Sequence, residues 1–112
     1  MKRAFRLTRS RDFKRVRETG KTAHHPLVIL VYSTSDEQQT RIAVVASKAI
    51  GNAVTRNLVK RRLKSCLATY IATIKGNTDL VFYARRGIVH ASFNEICLAI
   101  ADLLTNADLL EN

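Results

Sequence analysis

Apolar and polar positions alternate along this chain in a way that marks six regular segments. Over Thr8–Gly20 (TRSRDFKRVRETG) Phe13 and Val16 fall i, i+3 on one face, with Thr8 or Ser10 placed to cap a short helix and Gly20 to end it. Pro26–Tyr32 (PLVILVY) is apolar without alternation, the pattern of a strand buried on both faces. A polar turn region (STSDEQQT) leads to a second strand in Arg41–Ser47 (RIAVVAS), β-branched and small, over 42–47. Gly51 and Asn52 then switch the chain into a long helix over 52–74, with Asn52 as N-cap. Asp79–Arg85 (DLVFYAR) reads as another strand. Ser92 and Glu95 have capping-box spacing, followed by Phe93, Ile96, Cys97, Ile100, Leu103 and Leu104 at helical intervals. The order is α-β-β-α-β-α, with room for a further short strand near Lys21–His24. This predicts one α+β domain over residues 1–112, an α/β sandwich with its helices on one face of a small sheet.

The long helix carries the most informative pattern. On a wheel at ~100° per residue, with Arg56 at zero, Val59, Leu63, Cys66, Leu67, Tyr70 and Ile74 cluster within roughly 280° to 20°. Arg56, Lys60, Lys64, Asn57 and Arg61 fan over roughly 0° to 140° beside that stripe. Leu58 falls at about 200°, a position expected to be exposed. The cations occupy the N-terminal half of the helix, where its macrodipole disfavours them. A phosphate backbone laid against that end would favour them instead.

Overall charge extends this reading. The 112-residue chain has a net charge of +10, which favours a polyanionic partner, nucleic acid first. Residues 1–21 hold nine basic and two acidic side chains, residues 41–64 seven basic and none acidic, and residues 91–112 four acids with no Lys or Arg. A surface serving only solubility mixes its signs; here one side of the molecule is expected to face polyanion. No apolar run approaches the ~20 residues of a membrane span, and the basic N-terminus lacks the apolar core of a secretory signal. Cys66 and Cys97 lie far apart outside any CxxC motif and are expected to be reduced core residues of a cytoplasmic protein.

A stand-alone active site is not legible. No acidic cluster falls within the basic regions, as a two-metal nuclease centre would need. The adjacent His24 and His25 would point to opposite faces of a strand, and His90 is isolated. Nucleotide-binding glycine patterns are also missing. The expectation is no catalytic residue and no metal ligand in the protein.

Ser47–Lys64 (SKAIGNAVTRNLVKRRLK) closely resembles the signature of the bacterial ribonuclease P protein subunit: Ser-Lys, then Gly-Asn-Ala, then Arg-Asn-Arg, then Lys-Arg and a further basic residue. RLTRSRDFKRVRETG is similar to the family's first helix, and VFYARRG to its last strand with a terminal basic pair. The likeness spans essentially the whole chain. It implies a ribosomal-protein-like fold with a left-handed βαβ crossover over the second and third long strands, against the usual right-handed preference. It also implies an RNA-holding subunit that assists removal of the 5′ leader from precursor tRNA, with the catalytic RNA performing hydrolysis and holding most of the Mg²⁺. The implied partners are that RNA and precursor tRNA, with no membrane and no required protein partner.

On this likeness Arg56, Asn57, Lys60, Arg61, Arg62 and Lys64 would contact catalytic RNA. Phe13, Arg17, Ser47, Lys48, Arg85 and Arg86 would bind the leader, Phe13 by stacking and the cations by tracking phosphates. The chain departs from the pattern twice. Leu58 stands where the third motif position is usually Arg, and Arg17 stands where the first helix often has a second aromatic residue. Tyr32 is a candidate replacement ring, on a sheet face that sequence does not specify. The competing readings are a non-catalytic ribosomal-type RNA-binding protein and a DNA-binding protein with the long helix in a major groove. The second is disfavoured because strands, not a helix-turn-helix pair, flank that helix.

Overall fold

The structure, a computed structural model, describes residues 5–111. Lys2 and Arg3 of the basic N-terminal block lie outside them. The elements are α1 (Ser10–Thr19), β1 (Lys21–His24), β2 (Val28–Thr34), β3 (Arg41–Val45), α2 (Ala53–Ala68), β4 (Thr78–Ala84) and α3 (Phe93–Asn106), with 3-10 turns at Lys48–Ile50 and Arg86–His90. The four strands form one sheet in the order β1-β2-β4-β3, in which β1–β2 and β2–β4 are antiparallel and β3–β4 is parallel. The expected extra strand is therefore present as β1, and α2 is the connection between the two parallel neighbours.

The helices do not share one face of the sheet. Along β4 the side chains alternate, as strand geometry requires. Leu80 and Phe82 join Val28, Leu30, Ile42, Val59, Leu63, Leu67, Ile96, Ile100 and Leu104 in the main core beneath α2 and α3. Val81 faces the other way and packs with Leu7 and Val16 under α1, with Phe13, Val31, Ala43, Val45 and Tyr83 at the margin of this second cluster. Three layers result, α1 on one side and α2 with α3 on the other. The unbroken apolar run of β2 reflects this arrangement, though its two faces are unequal: Val28 and Leu30 are fully buried and Val31 only partly.

Local chemistry sets the boundaries. The Asn52 side chain accepts from the Thr55 amide at 2.9 Å and caps α2. Gly51 enters that helix at φ 151°, a backbone conformation costly for any residue with a Cβ. The Ser92–Glu95 capping box forms in both directions, at 2.9 and 3.1 Å. The expected cap of α1 does not form: Arg9 occupies the N-cap position, and neither Thr8 nor Ser10 supplies a side-chain cap bond. Gly20 ends α1 where a Cβ would lie 2.3 Å from the Val16 carbonyl oxygen and 2.7 Å from that of Tyr32.

The long helix ends at Ala68, six residues before the expected Ile74. Past it the Thr69 and Thr73 hydroxyls donate back to the carbonyls of Cys66 and Tyr70, and the Thr69 and Tyr70 amides bond three residues back. Such bonds compete with the α pattern and tighten the chain into turns. Ile74 remains buried even so, through a bridge to Leu110.

Cys66 and Cys97 are joined by a disulfide between α2 and α3. The expectation of two reduced thiols is therefore corrected. Both residues sit on core-facing stripes, and packing of the two helices brings their Cα atoms to 5.3 Å, within bonding range.

Candidate nucleic-acid interface

The outer face of α2 carries a shallow groove lined by Asn57, Lys60, Arg61, Lys64, Ser65 and Ala68. These positions share a flank because i, i+3, i+4 and i+7 spacings stack along a helix. No cation of α2 takes part in an ion pair among the described residues. The positive charge there is left for an external anion. Arg56 and Arg62 are half-buried and do not line this groove. Leu58, expected to be exposed, is half-buried yet belongs to neither core cluster.

A second groove lies between the start of the chain and β3, lined by Arg6, Leu7, Thr8, Phe13, Ile42, Ala43, Val44 and Lys64. Phe13 is half-buried there and packs at the edge of the α1 cluster. Lys64 lines both grooves and so joins the α2 face to the Phe13 face. Arg17 is exposed on α1, about 40° from Phe13 around the helix.

Ser47, Arg85 and Arg86 come together in a third groove with Pro26, Ala49, Ile50, Ala84 and Gly87. The C-terminal ends of parallel β3 and β4 bring them to one end of the sheet. Lys48 follows Ser47, exposed at the start of the 3-10 turn. Of the residues grouped from sequence as one leader site, Phe13 thus lines one groove and Ser47, Arg85 and Arg86 another, while Arg17 and Lys48 line neither. Tyr83 sits on the Phe13 side of β4 and packs against the same α1 cluster. Tyr32 packs against the opposite, main core and is not a replacement ring beside Phe13.

Sequence reasoning assigned Lys64 to the α2 face alone and did not single out Tyr83, because sheet order and helix placement bring Lys64 to the second groove and Tyr83 to the Phe13 cluster. It also missed the ionic cluster that fixes α1. Asp79, fully buried on β4, accepts two hydrogen bonds from Arg41 and one from Arg15, while Asp12 pairs with both arginines. Arg15 also donates to the Thr34 carbonyl at 2.9 Å. A signal was available, since a carboxylate inside an apolar strand must find a partner. The Arg41 guanidinium is held above its ordinary pKa, first by its hydrogen bonds to Asp79 and against the opposing effect of burial.

Among the described residues no three His, Cys, Asp or Glu side chains come close enough to share a metal ion, and no helix is long and apolar enough to cross a membrane. A twisted sheet with helices on both faces, an unneutralised basic groove and an aromatic groove sharing one lysine define a small basic α+β protein shaped to meet a polyanion. Its sequence matches the family model described as Ribonuclease P over residues 1–108. It is 36% identical over 109 residues to the ribonuclease P protein component of Herpetosiphon aurantiacus, covering 97% of this chain and 89% of that one. Identity to the corresponding protein of Chloroflexus aurantiacus is 33% over 111 residues, covering 98% and 82%. Among solved structures, the RNase P protein of Staphylococcus aureus superposes with a TM-score of 0.89 at 22% identity, covering 97% of this chain and all of that one. That of Thermotoga maritima gives 0.81 at 21%, covering 90% and 96%. The chain belongs to the ribonuclease P protein family.

Proposed function

We propose that this protein binds the catalytic RNA of ribonuclease P through α2 and the 5′ leader of precursor tRNA through the Phe13 groove and the Ser47–Arg85–Arg86 groove. The observation that carries this reading is Lys64, which lines both the basic α2 groove and the Phe13 groove. One polyanion held on α2 would end where a second begins. Asn57, Lys60, Arg61 and Lys64 take RNA phosphates in this reading, with Arg56 and Arg62 flanking them. Phe13 offers an edge-held ring to an unpaired base, and Arg17, Ser47, Lys48, Arg85 and Arg86 follow the leader's backbone. The protein works in the cytoplasm, as one RNA-binding domain that needs no protein partner.

Hydrolysis belongs to the RNA, and Mg²⁺ with it. The described residues do not fit a magnesium site: Asp12 and Asp79 are engaged by Arg15 and Arg41, and no cluster of three candidate ligands exists. The test is reconstitution. Rigorously RNA-free protein is expected to leave precursor tRNA intact. Adding a bacterial ribonuclease P RNA should give 5′ cleavage, at lower Mg²⁺ than the RNA alone requires. Metal-dependent cleavage by the protein alone would overturn the assignment of chemistry to the RNA. Tight binding to ribosomal RNA with no effect on ribonuclease P RNA would favour the ribosomal-type reading.

A further inference from the structure

The outer face of α2 is not purely ionic. Val54, in its first turn, is 78% exposed, the highest exposure among the large apolar side chains described. Leu58 follows at i+4 and therefore lies over the same face. With Arg56 at zero, the two fall at about 160° and 200°, roughly opposite the buried stripe. Arg61 at about 140° and Arg62 at about 240° follow Leu58 at i+3 and i+4 and border it on either side, one turn beyond Val54. An apolar strip about one helical turn long, from exposed Val54 to half-buried Leu58, thus ends between two guanidinium groups that have no carboxylate partner among the described residues. Neither residue belongs to a core cluster, so folding does not account for their presence there.

The charge bordering the strip selects its partner. It needs an uncharged surface flanked by two lines of negative charge. The wide, shallow minor groove of A-form RNA has that form, with ribose faces between two phosphate backbones. We propose that Val54 and Leu58 pack against the ribose faces of a paired segment of the catalytic RNA, while Arg61 and Arg62 meet the phosphates on either side. This inference rests on the assignment of α2 to the catalytic RNA. It adds a recognition of duplex shape that salt does not screen. Leu58, the departure from the family's basic motif, then replaces one ionic contact with an apolar one.

Salt dependence separates the two kinds of contact. Full-length protein would be titrated onto transcribed ribonuclease P RNA over a series of salt concentrations. Val54→Ser and Leu58→Ser are each expected to weaken binding about five- to tenfold at every concentration and to leave the slope of log K against log salt unchanged. Lys60→Ala should instead flatten that slope by about one unit. Val54→Ile should restore the parent affinity. Ser and Val have similar helix propensities, so thermal melts should show the Val54 variant folded as the parent. In competition, a short RNA duplex should remove the difference between parent and Val54→Ser protein, and a single-stranded oligonucleotide should not. Parent-like affinity of both serine variants would overturn the inference. So would a loss that appears only as a changed salt slope, or Val54-dependent binding to anionic lipid vesicles in place of duplex RNA. A parent protein that fails to bind this RNA at all would instead refute the assignment of α2, a distinct result.

Discussion

Arg41 and Asp79 stand opposite each other in the parallel β3–β4 register and meet through two hydrogen bonds, Nε to Oδ1 at 3.0 Å and Nη2 to Oδ2 at 2.8 Å. Arg15 reaches the same carboxylate from α1, so one buried acid links the sheet to the helix that carries Phe13. Desolvation of Asp79 makes the cluster a weak net contributor while complete, yet costly to break. Arg41→Ala should destabilise by about 3 kcal/mol, because it leaves a fully buried carboxylate with one partner fewer. Lys14→Ala, at an exposed pair with Glu18, should change stability by less than about 0.5 kcal/mol. Urea midpoints of the two variants give the comparison, and similar shifts in both would refute the ranking.

The Cys66–Cys97 bond closes a 31-residue separation between α2 and α3. On the chain-entropy account, losing such a link destabilises by about 3–4 kcal/mol. Cys97→Ser should melt well below the oxidised parent and be indifferent to reductant, while the parent should fall towards it when reduced. Thiol titration of denatured, unreduced parent protein should find no free cysteine. Two reactive thiols would show the bond absent in solution.

The Glu95 carboxyl lies below the ordinary carboxylate pKa, chiefly because the Ser92 backbone amide donates to it. A depressed folded pKa means that the ionised form is the one the fold favours. Its contribution is complete above the unfolded value of about 4.3 and is lost as pH falls through the folded value. The melting-temperature advantage of the parent over Glu95→Gln should therefore be constant near neutrality and shrink below about pH 4.3. An advantage that grows on acidification would contradict the sign of the shift.

Phe13 is half-buried at the margin of the α1 cluster and lines the groove beside β3. In reconstituted holoenzyme, Phe13→Ala should weaken precursor tRNA more than mature tRNA, because only the precursor has a leader to stack. Equal losses for both would assign Phe13 to packing alone. Tyr83→Ala, on the same side of β4, should show the same precursor-selective loss.

Much of this protein was legible in one dimension. Local rules fix what depends on residues three or four apart, so the Asn52 cap, the Ser92–Glu95 box, the buried stripe of α2 and its basic flank could all be read from spacing. The signature around Ser47–Lys64 likewise resides in consecutive residues, and the family followed from it. What spacing could not provide was the relation between elements. An unbroken apolar strand does not say which helix covers which face, so the placement of α1 opposite α2 and α3 emerged only in the fold. That placement turns Tyr32 away from Phe13, brings Tyr83 towards it and lets Lys64 serve two grooves. Pairings across 31 and 38 residues, Cys66 with Cys97 and Arg41 with Asp79, were equally hidden. Each needs two distant segments packed in register, and tertiary structure alone sets that distance.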